Sequence, residues 1–119
     1  MSGLKEQKEQ AVKRELSKLY KQNFGKGPDT TEVKIYENFV FLKFEGAFSP
    51  IEENLMKSEC GIALVEKIRD EMILKQTEAY VPALEKIVEE KVRKVNYMMQ
   101  EERGSLYMFV LFEENIRVM

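Results

Sequence analysis

From Leu4 to Tyr20 the apolar residues Leu4, Ala11, Val12, Leu16, Leu19 and Tyr20 fall on one face of a helix, with charged residues filling the gaps. The spacing predicts an amphipathic helix. Gly25 and Gly27 offer positive-φ termination and Pro28 forbids simple continuation, so this helix stops near Asn23 or Phe24 and Gly25-Lys26-Gly27-Pro28 forms a tight loop. Between Thr31 and Phe48 the period changes to two. Val33 and Ile35 alternate with Lys34 and Tyr36, then Val40, Leu42 and Phe44 with Lys43 and Glu45, which predicts a hairpin turning at Glu37-Asn38. Asn38 is the residue suited to the left-handed conformation of such a turn. The run Phe39-Val40-Phe41-Leu42 is apolar on both faces, as in a central strand or a strand covered by a partner chain.

Ser49-Pro50-Ile51-Glu52 combines a Ser N-cap, Pro at the first helical position and Glu three residues on, so a helix begins at Pro50 with a capping box. A break is expected near Ser58 to Gly61, where Ser58 can cap a second helix. Ile62, Val65, Ile68, Met72, Ala79, Ala83, Ile87 and Val88 carry a helical stripe to about Val92. Pro82 lies inside it, and a kink in one long helix is favoured over division into two. The tail returns to period two: Val95, Tyr97 and Met99, then Leu106, Met108, Val110 and Phe112, joined across Glu101-Glu102-Arg103-Gly104. Helix, hairpin, helices, hairpin implies an α+β fold in two layers, a four-stranded, mostly antiparallel sheet covered by helices on one face. Its 119 residues are expected to form a single domain, residues 1–119.

Composition narrows the function. Hydrophobic residues make up 44% and charged residues 34%, a folded globule with a surface dense in Lys and Glu. The net charge of -2 offers no electrostatic footprint for nucleic acid, which is therefore not an expected partner. Fourteen Lys against five Arg, and nineteen Glu against two Asp, follow a trend of proteins from hot environments. Cys60 is the only cysteine and reads as a small buried hydrophobe in a reducing cytoplasm. With no His, the familiar zinc sites and Ser-His or Cys-His nucleophile pairs are excluded, so no catalytic residue, metal or cofactor is assigned and the chain is not expected to be an enzyme. No apolar run approaches the length of a membrane span, and direct membrane insertion is not expected.

A few residues remain as candidates. Gly25, Lys26 and Gly27 resemble a phosphate cradle, but they end a helix where a phosphate loop would begin one. Glu52 and Glu53 read as capping residues, and Arg69 as the partner of Glu66 one helical turn back, with an anion or interface role as its alternative. Phe39 and Phe41 are interface candidates because of the two-sided apolar strand. Seven methionines read mainly as core fillers.

The helix ending in Tyr20, the Phe24-Gly25-Lys26-Gly27-Pro28 loop, Gly46-Ala47-Phe48-Ser49-Pro50-Ile51-Glu52, and Leu55, Gly61, Val65 and Arg69 together resemble the bacterial MpsC family. That family is named for a sodium-translocating, membrane-potential-generating system. The likeness is looser toward the C-terminus: family members tend to have a Gly in the helix-to-strand turn and an Asp-rich segment between the last strands, where this chain reads Lys91-Val92-Arg93-Lys94 and Gln100-Glu101-Glu102-Arg103-Gly104. The resemblance implies an accessory role beside membrane subunits linked to cation or inorganic-carbon uptake, and carries no catalytic or ligand residues with it. The resulting expectation is a cytoplasmic, soluble interaction module, homodimeric, docked on or regulating a membrane complex. The alternative is a small-ligand or anion sensor using Lys26, the loop amides and Arg69.

Overall fold

A computed structural model describes residues 3–100 and 103–119. Helix α1 spans Leu4–Phe24, strands β1 and β2 span Thr30–Tyr36 and Phe39–Glu45, helices α2 and α3 span Pro50–Leu55 and Glu59–Val88, and strands β3 and β4 span Val92–Gln100 and Ser105–Phe112. The sheet has four strands in the order β1-β2-β4-β3, every neighbouring pair antiparallel. The two hairpins are therefore joined along a β2–β4 seam, with Val40 opposite Val110 and Leu42 opposite Met108. The expected α+β architecture is the one formed.

The alternation in each strand decides which face meets the helices. Val33, Ile35, Val40, Leu42, Phe44, Leu106, Met108, Val110 and Phe112 point to one side and pack with Val12, Leu16 and Tyr20 of α1 and Ile73, Tyr80, Leu84 and Val88 of α3. Phe39, Phe41, Tyr107 and Phe109 occupy the alternate positions on the other face. The run Phe39 to Leu42 thus belongs to an interior strand of the sheet.

Local details depart from expectation in physically legible ways. Gly25 takes the left-handed conformation at the end of α1 and its N–H bonds the Lys21 carbonyl, whereas Gly27 has no positive φ. In the first hairpin the left-handed residue is Glu37, at φ 52°, not Asn38. The Asn38 amide is used otherwise: its Nδ2 donates to the Phe112 carbonyl at 3.2 Å, tying the hairpin tip to the end of β4. The α2–α3 break forms as expected, with Ser58 capping α3 through Gly61 N–H. Helix α3 continues through Pro82 as one helix but stops at Val88, because Glu89 adopts φ 66° and closes it. Val92 instead opens β3, and its N–H donates to Glu85 Oε2 at 2.9 Å. Cys60, expected inside, is exposed in the first turn of α3. Of the second hairpin's turn, Glu101 and Glu102 lie outside the described residues.

Lys8 extends the buried i, i+4 line of α1 that runs through Val12, Leu16 and Tyr20. Only 5% exposed, it donates from Nζ to the Val88 carbonyl at 2.8 Å. A cation is thereby placed on an orphan carbonyl at the negative end of α3, which holds the two helices together at that end.

Candidate functional site

The buried stripe of α3 runs Gly61, Val65, Arg69, Ile73, Tyr80, Leu84, Val88. Arg69 therefore enters the core between Val65 and Ile73, while Ile68, placed on the apolar stripe by sequence reasoning, is 41% exposed. The Arg69 side chain has no exposed surface. Its Nε donates to Glu52 Oε2 at 2.6 Å, and Nη2 to Glu52 Oε1 at 2.6 Å and the Ala47 carbonyl at 2.8 Å. Nη1 donates to the Tyr20 hydroxyl at 2.6 Å, and that hydroxyl in turn donates to the Ala47 carbonyl. Three aromatic rings enclose the guanidinium, with centroids 4.0 Å away for Phe24, 4.9 Å for Phe48 and 5.6 Å for Tyr20.

One carboxylate does two jobs here. Glu52 Oε1 accepts from Ser49 N–H at 2.9 Å while Ser49 Oγ accepts from Glu52 N–H, completing the capping box, and the same side chain forms the two-pronged pair with Arg69. Burial raises the Glu52 pKa, but the Arg69 hydrogen bonds and charge, with the Ser49 amide, outweigh it and hold the carboxyl below the usual carboxylate range. Arg69 is likewise held more firmly protonated: burial opposes its charge, and hydrogen bonding to Glu52 overcomes that opposition. The cluster clamps α1, the exit of β2, the start of α2 and the middle of α3 to one another.

Sequence reasoning thus placed Glu52 correctly in the capping box, but Arg69, read as the partner of Glu66, pairs with Glu52. Arg69 turns toward Glu52, 17 residues away, because its position between Val65 and Ile73 points it into the core and not along the helix surface. Tyr20, the third member, was legible only as the last residue of an apolar stripe.

The Gly25-Lys26-Gly27 loop lies against the same turn. Lys26 Nζ reaches the Gly46 carbonyl at 3.3 Å and Asp29 Oδ1 at 3.6 Å, so Lys26 and Arg69 bind successive carbonyls, those of Gly46 and Ala47. These groups, on which anion sensing would draw, are engaged within the chain. No group of three or more Asp, Glu or Cys residues is placed to hold a metal ion among the described residues.

Tyr20 sets a testable pH limit. Burial pushes its hydroxyl up to about 12, despite the opposing effect of Arg69. Between the ordinary tyrosine value near pH 10 and that higher one, the unfolded chain loses this proton and the folded chain keeps it. The contribution is therefore fully present below pH 10 and is lost as pH rises to 12, about 2–3 kcal/mol in all. Urea denaturation at pH 9 and pH 12 should show this loss in the native chain, and Tyr20→Phe should remove that share of it.

The second candidate is the bare sheet face. Phe41 stacks with Tyr107 at 6.0 Å and meets Phe109 at 5.3 Å between centroids, while Tyr36 meets Phe39 edge-on at 5.8 Å. Tyr36 is 61% exposed, Met98 55% and Phe109 39%. The structure brings the interface candidates Phe39 and Phe41 together with these residues on the face opposite the helices. Tyr107, Phe109 and Met98 were missed, although Ser105 to Phe112 reads as apolar on both faces just as Phe39 to Leu42 does. Lys43 stands at the margin, bonded to Glu45 at 2.9 Å, and this hydrogen bond raises its pKa.

No helix among the described residues is long and apolar enough to cross a membrane. The family model described as Na+-translocating membrane potential-generating system (MpsC) matches residues 4–114, nearly the whole chain. No curated protein and no solved structure matches it.

Proposed function

Because the chain belongs to the MpsC family, we propose that it is a non-enzymatic accessory subunit that binds and regulates the membrane-embedded part of a cation-linked, potential-generating system from its cytoplasmic side, working as a homodimer. The observation that carries this reading is the aromatic sheet face. A two-layer fold buries one face of its sheet under helices, and the other is ordinarily polar. Here Phe39, Phe41, Tyr107 and Phe109 form its centre, a contiguous apolar surface of the kind that marks a contact with another protein. The occupant named by this reading is a membrane-crossing subunit, since the family description is of a system that moves ions across a membrane while no helix among the described residues is long and apolar enough to span one.

The test uses inside-out membrane vesicles from cells of the source organism that lack this chain, energised in sodium and read with a voltage-sensitive dye. Added native protein is expected to change the sodium-dependent potential. Phe41→Lys/Phe109→Lys is expected to need at least about tenfold more protein for the same effect, as loss of apolar anchors at the centre of a contact implies. Circular dichroism checks that the variant keeps its fold. A potential indifferent to the native chain, or an equally active variant, overturns the reading.

A further inference from the structure

We propose that two copies of this chain pair through α3, each helix lying antiparallel on the other beside the cleft between α3 and β3. This rests on the self-association in the reading above and assigns it a surface separate from the aromatic sheet face. The helix layer covers β1, β2 and β4 more fully than the edge strand β3, which α3 covers only in part. On the helix side, Val33, Leu42 and Val110 are at most 7% exposed, whereas Val92, Val95, Tyr97 and Met99 of β3 are only partly buried. A cleft of about 380 Å³ opens there, lined by apolar residues of α3 and β3, among them Ile73, Leu74, Val81 and Tyr97, and by the charged Arg93 and Lys94 of β3. On its outer face α3 turns Leu64 and Leu74 to solvent, 48% and 70% exposed, Leu74 at the rim of the cleft.

The charges on this side of α3 identify what covers it. Lys67, Glu71, Lys75 and Glu78 recur every three or four residues, so they lie along one stripe with Leu64 and Leu74, and their signs alternate. Against a parallel copy in register, each charge meets its own sign. Turned antiparallel about the level of Ile73, Glu71 meets the second copy's Lys75 and Lys67 meets the second copy's Glu78, and two-fold symmetry makes each contact twice. Among the described residues none of these four charges is in an ion pair within the chain. Leu74, near the axis level, is then carried to the other copy's cleft. Exposed ion pairs of this kind fix direction and register, and burial of Leu64, Leu74 and the cleft walls supplies the affinity.

Sedimentation equilibrium on the full chain tests the arrangement. The native protein is expected to be a dimer, with Leu74→Glu raising its dissociation constant at least about tenfold and Phe109→Lys leaving it within about threefold. Glu71→Lys should weaken the dimer, and the exchange Glu71→Lys/Lys75→Glu should restore it, because the exchanged charges again meet opposites in the antiparallel register. These positions are exposed, so each variant is expected to keep the native circular dichroism spectrum. A native monomer overturns self-association and this pairing together. A dimer that survives Leu74→Glu but is lost in Phe109→Lys overturns the α3 pairing and leaves self-association standing on the sheet face. Failure of the exchange to restore a dimer weakened by Glu71→Lys overturns the antiparallel register.

Discussion

Glu52→Ala is expected to destabilise the fold by about 3–5 kcal/mol, the cost of stranding a buried charge without its partner. The Arg69 side chain is 0% exposed and the Glu52 side chain 14%, so water cannot replace the lost carboxylate around the guanidinium. Tyr20 and Ala47 still accept hydrogen bonds from Arg69, but neither carries a compensating negative charge. The same substitution removes the capping box at α2. For a domain of this size the midpoint of thermal unfolding should fall by about 10–20 °C. Glu52→Ala/Arg69→Met should be less damaging than Glu52→Ala alone, since an apolar pair leaves no orphaned charge. Differential scanning calorimetry on the two variants decides it, and a loss under about 1 kcal/mol for the single variant would deny the clamp its role. The low pKa of Glu52 gives the acid counterpart. Its stabilising contribution is present above the ordinary carboxylate range and is lost as pH falls through its lowered folded value.

Gly61→Ala is expected to cost at least about 1–3 kcal/mol, the usual range for forced overpacking, with the upper end favoured by what the new carbon would hit. A Cβ at Gly61 would lie 1.6 Å from the Leu55 carbonyl oxygen and 2.5 Å from its carbon, both backbone atoms. No rotamer relieves such a clash. Either α2 moves away from α3 or the first turn of α3 unwinds, and the Ser58 cap on Gly61 N–H is lost with it. Because α2 also carries Glu52, displacement should loosen the Arg69 clamp. Urea midpoints for Gly61→Ala and for the exposed control Ala63→Gly separate this clash from a general effect on helix propensity; equal losses would refute it.

Much of this fold is written in local patterns. The alternation of Val33, Ile35, Val40, Leu42 and Phe44, the capping box at Ser49 and the Ser58 restart each depend on neighbours a few residues away. What was not legible depends on partners far along the chain. Arg69 has a plausible mate in Glu66, one turn back, and only the placement of α2 against α3 brings Glu52 closer to its guanidinium. Lys8 reads as a solvated charge until the end of α3 is known to present the Val88 carbonyl to it. Cys60 misleads in the other direction, because its usual preference for the interior yields to a position in the exposed first turn of α3. The aromatic face was half visible. Phe39 and Phe41 stood out in their own strand, but their continuity with Tyr107 and Phe109 needed the β2–β4 register.

That register also governs how the chain reaches its native state. Each hairpin closes over a short turn and can form early and independently, whereas Asn38 and Phe112, bonded across the seam, are 74 residues apart in sequence. During synthesis the first hairpin emerges with the β2 edge unpaired, and its proper neighbour β4 follows only after α2, α3 and β3 have been made. An apolar strand edge so long without its mate is open to the same edge of another nascent chain, so crowded polysomes are where this protein is most exposed to misassembly.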